Sequence, residues 1–184
     1  MSARERLVSV GTEMLEEHGL AGISLRSIAS SAGVSHGAPR RHFPTYRALL
    51  AAIARGGIEA LDLEIRPALA DSEPRRGIRQ AAEAYLDFAA ARPEMFALIT
   101  RHDLLEGAGG ELREITACWF ADLRQALGRA RGDAVSAEDC LALWAGVHGL
   151  AALTSRRTTE PVGSPDRDKA LSLILDAGFR PHQP

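Results

Sequence analysis

Residues 24–43, SLRSIASSAGVSHGAPRRHF, hold two short helical stretches around a Gly-Val-Ser break, and the second ends in Arg40-Arg41-His42. Leu25, Ile28, Ala29 and Ala32 recur at helical spacing, so they form one apolar stripe on a first helix whose N-cap is Ser24. Gly33 ends that helix, because the position just past a helix C-terminus commonly takes left-handed backbone angles that glycine adopts without steric penalty. Val34 then turns inward, and Ser35 offers a side-chain oxygen to cap the next helix. The small Ala29 lets the second helix approach the first closely. Such a pair crosses steeply and leaves the outer face of its second helix free to enter a DNA major groove. Pro39 falls in the first turn of that helix, where a missing amide removes at most one hydrogen bond.

Charge is distributed to match. The formal net charge of the chain is only −2, which does not by itself point to nucleic acid. From His18 to Ile58, however, there are five arginines (Arg26, Arg40, Arg41, Arg47, Arg55), three histidines and no Asp or Glu. Residues 59–184 carry 15 Lys+Arg against 20 Asp+Glu. A basic patch near one end of an acidic body is the footprint of phosphate binding confined to one face. A solvated arginine-bearing surface is the plain alternative; coincidence with the helix-turn-helix pattern favours the phosphate reading.

Around this unit nearly every segment has helical periodicity and none has a sustained run of alternating β-branched residues, so the fold class is all-α, with about nine helices. Helix 1 is predicted from about Ala3 to His18, with Gly19 as its stop. Pro44 cannot continue helix 3, so Thr45 caps a long helix 4 running to about Arg66, roughly 30 Å at the α-helical rise and enough to link two modules rigidly. Pro67 and Pro74 mark the boundary. The predicted domains are residues 1–50 and 67–184, joined by helix 4 (about 45–66). In the second, helix 5 spans about Arg75 to Ala91, helix 6 about Glu94 to Arg101, helix 7 about Glu111 to Arg131. Ser136 and Asp139 form an approximate capping box for helix 8, which runs to about Thr154. Helix 9 starts near Pro165 and ends near Gly178. Residues 105–110 and 155–166 read as loops.

An apolar content of 46% and a charged content of 25% are ordinary for a globular protein, and 184 residues suffice for a sizeable core. No apolar run resembles a signal peptide or a membrane span, so the expected location is the cytoplasm, with no membrane partner. Cys118 and Cys140 lie in apolar helical patterns with no ligand-spaced neighbours and read as buried thiols.

Leu25, Ile28, Ala29, Ala32, Gly33, Val34 and Ser35, followed by His42, Phe43 and Pro44 and an apolar helix 4, stand at the N-terminus of a helical chain near 200 residues. In these residues the chain resembles the TetR family of bacterial transcription regulators. The segment Trp144-Ala-Gly-Val-His148-Gly149 resembles the Trp-x-x-x-His-Gly signature of one C-terminal domain type of that family. Trp144 and His148 share a helix face, as a core or interface pair or as ligand contacts. The chain departs from the family pattern at Arg40, where an aromatic residue is usual, and at Tyr46, where lysine is common.

The resemblance implies a homodimer on double-stranded operator DNA, its two recognition helices held about 35 Å apart to enter successive major grooves of a palindrome. Base-edge contacts fall to His36, Gly37, Ala38 and Arg40 at the start of helix 3, which Ser35 opens. Two roles stay open for Arg40: a bidentate pair with guanine, worth about 1–3 kcal/mol of discrimination, or a phosphate contact. Ser24, Arg26, Arg41, His42, Thr45 and Tyr46 are expected at phosphates, although the His42 ring also has a packing role available at the helix end. For the dimer surface the candidates are Leu141, Ala145 and Ala152 on helix 8 with Leu171, Ile174 and Leu175 on helix 9. Tyr85, Phe88, Phe96, Trp119, Phe120, Trp144 and His148 are candidate pocket residues for a small apolar or aromatic effector, or simply core. A ligand that favours the wrong separation of the recognition helices lowers operator affinity, which makes the protein a ligand-responsive repressor.

The competing class is an all-α small-molecule-binding protein or enzyme without DNA binding. Only His102-Asp103 and Cys140, near Trp144 and His148, resemble chemistry. The sequence contains no paired carboxylates, metal-ligand spacing, phosphate-cradling glycine loop or nucleophile elbow. No catalytic residue, metal or cofactor is therefore assigned.

Overall fold

A computed structural model of the chain describes residues 1–35, 38–101, 107, 112–156, 163 and 165–180. Among the described residues there are nine α-helices and no strand: α1 (Ala3–His18), α2 (Leu25–Ser31), α3 (Ala38–His42), α4 (Tyr46–Leu69), α5 (Pro74–Ala91), α6 (Pro93–Ile99), α7 (Leu112–Arg131), α8 (Ala137–Ser155) and α9 (Arg167–Gly178). A 3-10 turn over Leu20–Gly22 follows α1. The chain forms two compact units, one of Met1–Glu59 with Arg92–Leu112 and one of Ala60–Ala91 with Arg113–Pro184. Most of the loops expected at 105–110 and 155–166 lie outside the described residues.

In the first unit, Leu7 and Leu15 of α1, Ile28 of α2 and Leu49, Leu50 and Ile53 of α4 are all fully buried. Their spacing puts them on one stripe of each helix, and burying such side chains stabilises the unit by about 1.5–3 kcal/mol each. Helix α6 belongs to this unit. Arg92, at its N-cap, donates from Nε to Glu16 Oε1 of α1 at 2.8 Å. Met95 and Leu98 of α6 are each 1% exposed.

In the second unit, α5 and α9 pack on α8, burying Leu143, Val147 and Ala151 of α8, Leu86 and Ala89 of α5 and Leu171 and Leu175 of α9. Helix α4 runs through Pro67 to Leu69, beyond the end expected at Arg66. Proline deprives the carbonyl four residues earlier of its partner, here that of Leu63. Leu63 is 74% exposed and Pro67 is exposed too, so the freed carbonyl lies on a face that solvent can reach, which lets the helix persist. Gly77 is required by close approach: a Cβ there would overlap the Ala68 carbonyl oxygen and come within 2.9 Å of Asp71 Cβ.

Arg131 fastens three helix ends of this unit. Its Nη1 lies 3.0 Å from Asp139 Oδ1, with side chains only 4% and 9% exposed, while Nε and Nη2 donate to the Gly178 carbonyl at 2.8 and 2.6 Å. A carbonyl at the end of α9 has no partner within the helix, and the guanidinium supplies one. Asp139 also closes the capping box of α8, accepting from Ser136 N at 2.9 Å and Ser136 Oγ at 2.8 Å. The Ser136 backbone and hydroxyl donors, then Arg131, hold its carboxyl well below the usual carboxylate range.

Two outcomes follow from this packing. Gly77→Ala forces α4 and α5 apart at backbone that cannot yield, so it should lower stability by about 1–3 kcal/mol in urea unfolding. For Asp139, the folded pKa lies below the ordinary 3.8. Its stabilisation is therefore complete above that value and lost as the pH falls through the folded pKa. Asp139→Asn should lower the urea midpoint at neutral pH and lose less further stability than the parent on acidification below that value.

Candidate nucleic-acid interface

Local hydrogen bonding sets the orientation of α2 and α3. At the start of α2, Ser24 Oγ accepts from Ser27 N at 3.1 Å and Ser27 Oγ accepts from Ser24 N at 2.9 Å, a reciprocal box built from two serines. At its end, Gly33 takes φ +62°. Val34 N donates to Ala29 O at 3.2 Å and Gly33 N to Ser30 O at 3.1 Å, the paired bonds of a Schellman stop. Pro39 is buried in the first turn of α3, and Phe43 N donates back to Pro39 O at 2.7 Å. Phe43 is 3% exposed and anchors the end of α3.

On the outside of this frame stand Arg26, Ser35, Arg40, Arg41, His42 and Thr45, all exposed. His36 and Gly37 lie outside the described residues, as does the side chain of Ala38. Ser24 is exposed, but its hydroxyl is engaged with Ser27. Thr45 Oγ1 accepts from Ala48 N at 3.1 Å and caps α4. The N-terminus of this long helix, with its partial positive charge, therefore follows directly on the cationic end of α3. Arg4 of α1 stacks its guanidinium 5.2 Å from the centre of the Phe43 ring, a neighbour that no local sequence spacing reveals. At the far side of the basic stretch Arg55 is bonded to Glu59 at 2.7 Å, so part of its charge is neutralised.

Tyr46 departs from the expected phosphate role. The ring is half-buried and its hydroxyl donates to the Ile23 carbonyl at 3.1 Å; burial pushes the phenol pKa up. A phenol has one proton to donate. Here it ties the start of α4 to the strand-like residue before α2, and it is not available to a phosphate.

The second unit carries a half-open apolar cavity of about 70 Å³. Of the predicted pocket residues, Tyr85, Trp119 and Trp144 line it. Behind Trp144, the His148 ring stacks at 4.7 Å and Phe120 meets its edge at 5.6 Å. Tyr85 Oη and His148 Nδ1 share a 2.8 Å hydrogen bond, and burial raises the tyrosine pKa well above its ordinary value. Phe88 is half-buried on α5, outside the lining. Phe96 lies on α6 in the core of the first unit. Much of the wall is aliphatic, including Ile65, Leu69, Leu123 and Val147, which a sequence cannot separate from ordinary core.

Beyond its acidic first turn, α8 is apolar on nearly every side. Leu141 is 57% and Leu153 50% exposed, with Leu173 of α9 at 71%; Ala145 is exposed, while Ala152 and Ile174 are half-buried. Leu171 and Leu175, expected at a dimer surface, are fully buried within the single chain. Their side chains point at α8 rather than outward, a register that periodicity alone does not resolve. Cys118, expected buried, is exposed on α7, whereas Cys140 is buried and its thiol pKa is pushed up, chiefly by desolvation. His102 and Asp103 lie outside the described residues. Among those described, no helix is long and apolar enough to cross a membrane.

Residues 7–53 match the family described as bacterial regulatory proteins, tetR family, and residues 78–177 the family described as tetracyclin repressor-like, C-terminal domain. The HTH-type transcriptional regulator CymR of Pseudomonas putida is 34% identical over 92 residues, 47% of this chain and 45% of that protein; the chain thus spans about half the length of this curated relative. A protein of unknown function from Rhodococcus sp. RHA1 superposes with a TM-score of 0.79 at 30% identity, covering 97% of this chain and 94% of that one. The TetR-like transcriptional regulator LfrR from Mycobacterium smegmatis, solved in complex with proflavine, shares the fold at a TM-score of 0.61 and 20% identity, over 96% of this chain and 93% of that one.

The geometry at Tyr46 makes a discriminating prediction. Tyr46→Phe should reduce stability by about 1 kcal/mol in denaturant titration, because one internal hydrogen bond is lost. The salt dependence of duplex binding should stay as in the parent, since no phosphate contact is removed.

Proposed function

The chain belongs to the tetR family of bacterial regulatory proteins, whose members are DNA-binding transcriptional regulators, and we propose that this one acts as a homodimeric, ligand-responsive repressor on a palindromic operator. One observation carries the reading: α3 exposes Arg40, Arg41 and His42 beyond a glycine-stopped α2, in a stretch from His18 to Ile58 without a single acidic residue. Arg41, His42, Arg26 and the Thr45 end of α4 hold phosphates, and Arg40 with the start of α3 reaches base edges. The setting is the cytoplasm, where such DNA is found.

Dimerisation uses the outer faces of α8 and α9. A helix apolar on nearly every side requires cover on those sides, and Leu141, Ala145, Leu153 and Leu173 supply the uncovered part. The effector enters the cavity of the second unit, whose Trp144, His148 and Gly149 make its C-terminal half one of the Trp-x-x-x-His-Gly type. Helix α5 lines that cavity and continues through Arg92 into α6, which packs in the first unit. The covalent path from ligand wall to DNA-binding unit is therefore short. An enzyme reading finds no support at Cys140, whose buried thiol is a poor source of thiolate.

Fluorescence anisotropy with duplexes taken from the DNA beside the gene tests the proposal. Arg41→Ala should weaken binding to all sequences alike and reduce the salt slope by about one unit. Arg40→Ala should relax base choice at one position per half-site. Absence of sequence-selective binding by the parent protein would refute the regulator reading, and an unchanged preference after Arg40→Ala would assign that residue to a phosphate.

A further inference from the structure

The wall of the second unit's cavity is built almost wholly of carbon. Among the described residues that line it, none carries a formal charge. Two of its three aromatic members turn their polar groups to partners: Tyr85 Oη to His148 Nδ1 at 2.8 Å, and the Trp119 indole N–H to Asp62 Oδ1 at 2.6 Å; the third, Trp144, stacks on the His148 ring. The ionised group joined to the wall through Trp119 is a carboxylate. An anion entering here would give up its water without a cation to receive it and would meet the field of Asp62. An ammonium would also lose its water to a wall without an acceptor oxygen, a cost that the Asp62 field and the indole faces offset only in part.

Space adds a second restriction. The cavity of about 70 Å³ is roughly half the ~150 Å³ of a dry cavity known to accept benzene. A ring is therefore fully covered only as the wall gives way, and Trp119 and Trp144, both half-buried, are members with room to yield. A flat molecule needs the smallest displacement of their faces.

Resting on the ligand-responsive reading above, we infer that the cavity takes an uncharged, flat ring compound and that the Tyr85–His148 pair strengthens this preference by closing a polar edge of the wall. Removing the phenol oxygen leaves His148 Nδ1 without that partner and vacates the room of one atom. A hydroxyl carried by the ligand then takes the tyrosine's place.

Trp119 and Trp144 are the only two tryptophans in the sequence, so intrinsic fluorescence excited where tyrosine does not absorb reports this wall. The full chain, without DNA, is titrated with toluene, benzoate, benzylammonium and phenol. Toluene should perturb the emission, with benzoate and benzylammonium binding at least about tenfold more weakly. In Tyr85→Phe, checked for folding by circular dichroism, phenol should gain several-fold on toluene. Either ion binding as tightly as toluene, silence with every ring compound, or an unchanged phenol-to-toluene ratio in the folded variant would overturn the inference. The parent titrations decide the charge preference even if the variant does not fold. Repeating them on protein bound to a labelled duplex tests ligand control separately: selective binding without DNA release upholds the cavity's preference and counts against the repressor switch.

Discussion

Everything the first unit offers to a partner depends on a single backbone position in the left-handed region. Gly33 at φ +62° lets the amides of Val34 and Gly33 fold back onto the last turn of α2. The helix therefore stops with its end satisfied while the chain departs at a steep angle. Any side chain there would be strained by about 1–2 kcal/mol. The larger effect would be directional: a longer α2 would carry the following arginines around its own axis instead of setting them on a separate rod. Phe43 and the buried Pro39 complete the device by pinning the inner side of α3, which leaves Arg40, Arg41 and His42 no direction but outward.

Around that turn the unit separates structural polar groups from available ones. Ser24, Ser27 and Tyr46 have the chemistry of phosphate contacts, yet their hydroxyls are bonded to neighbouring groups of the fold. The arginines and the N-terminus of α4 remain as the electrostatic attractants. This division explains how a chain of formal net charge −2 can present a cationic face: the acidic residues are concentrated after Ile58.

Local chemistry was legible in the sequence, and partnership across the fold was not. The caps at Ser24, Thr45 and Ser136, the stop at Gly33 and the all-helical architecture each follow from residues within a few positions of one another. Pro67 shows the limit of a local rule, since its effect depended on whether Leu63 faces water. The fate of the Tyr46 proton depended on Ile23, distant in sequence, and the inward register of Leu171 and Leu175 depended on α8. Met95, Phe96, Leu98 and Ile99 announce a buried face on α6 without saying which unit receives it. At the cavity, aromatic spacing found Tyr85, Trp119 and Trp144 because those residues are few. The aliphatic remainder of the wall is indistinguishable from core until the helices are packed.

With α3 set outward by the turn at Gly33, a dimer presents two copies of it to one face of a duplex. Hydroxyl-radical footprinting on a duplex selected from random sequence tests that arrangement most directly. Two protected patches should lie on the same face, their centres one helical turn of about 10 base pairs, or a multiple of it, apart. A single patch, or protection indifferent to sequence, would contradict it.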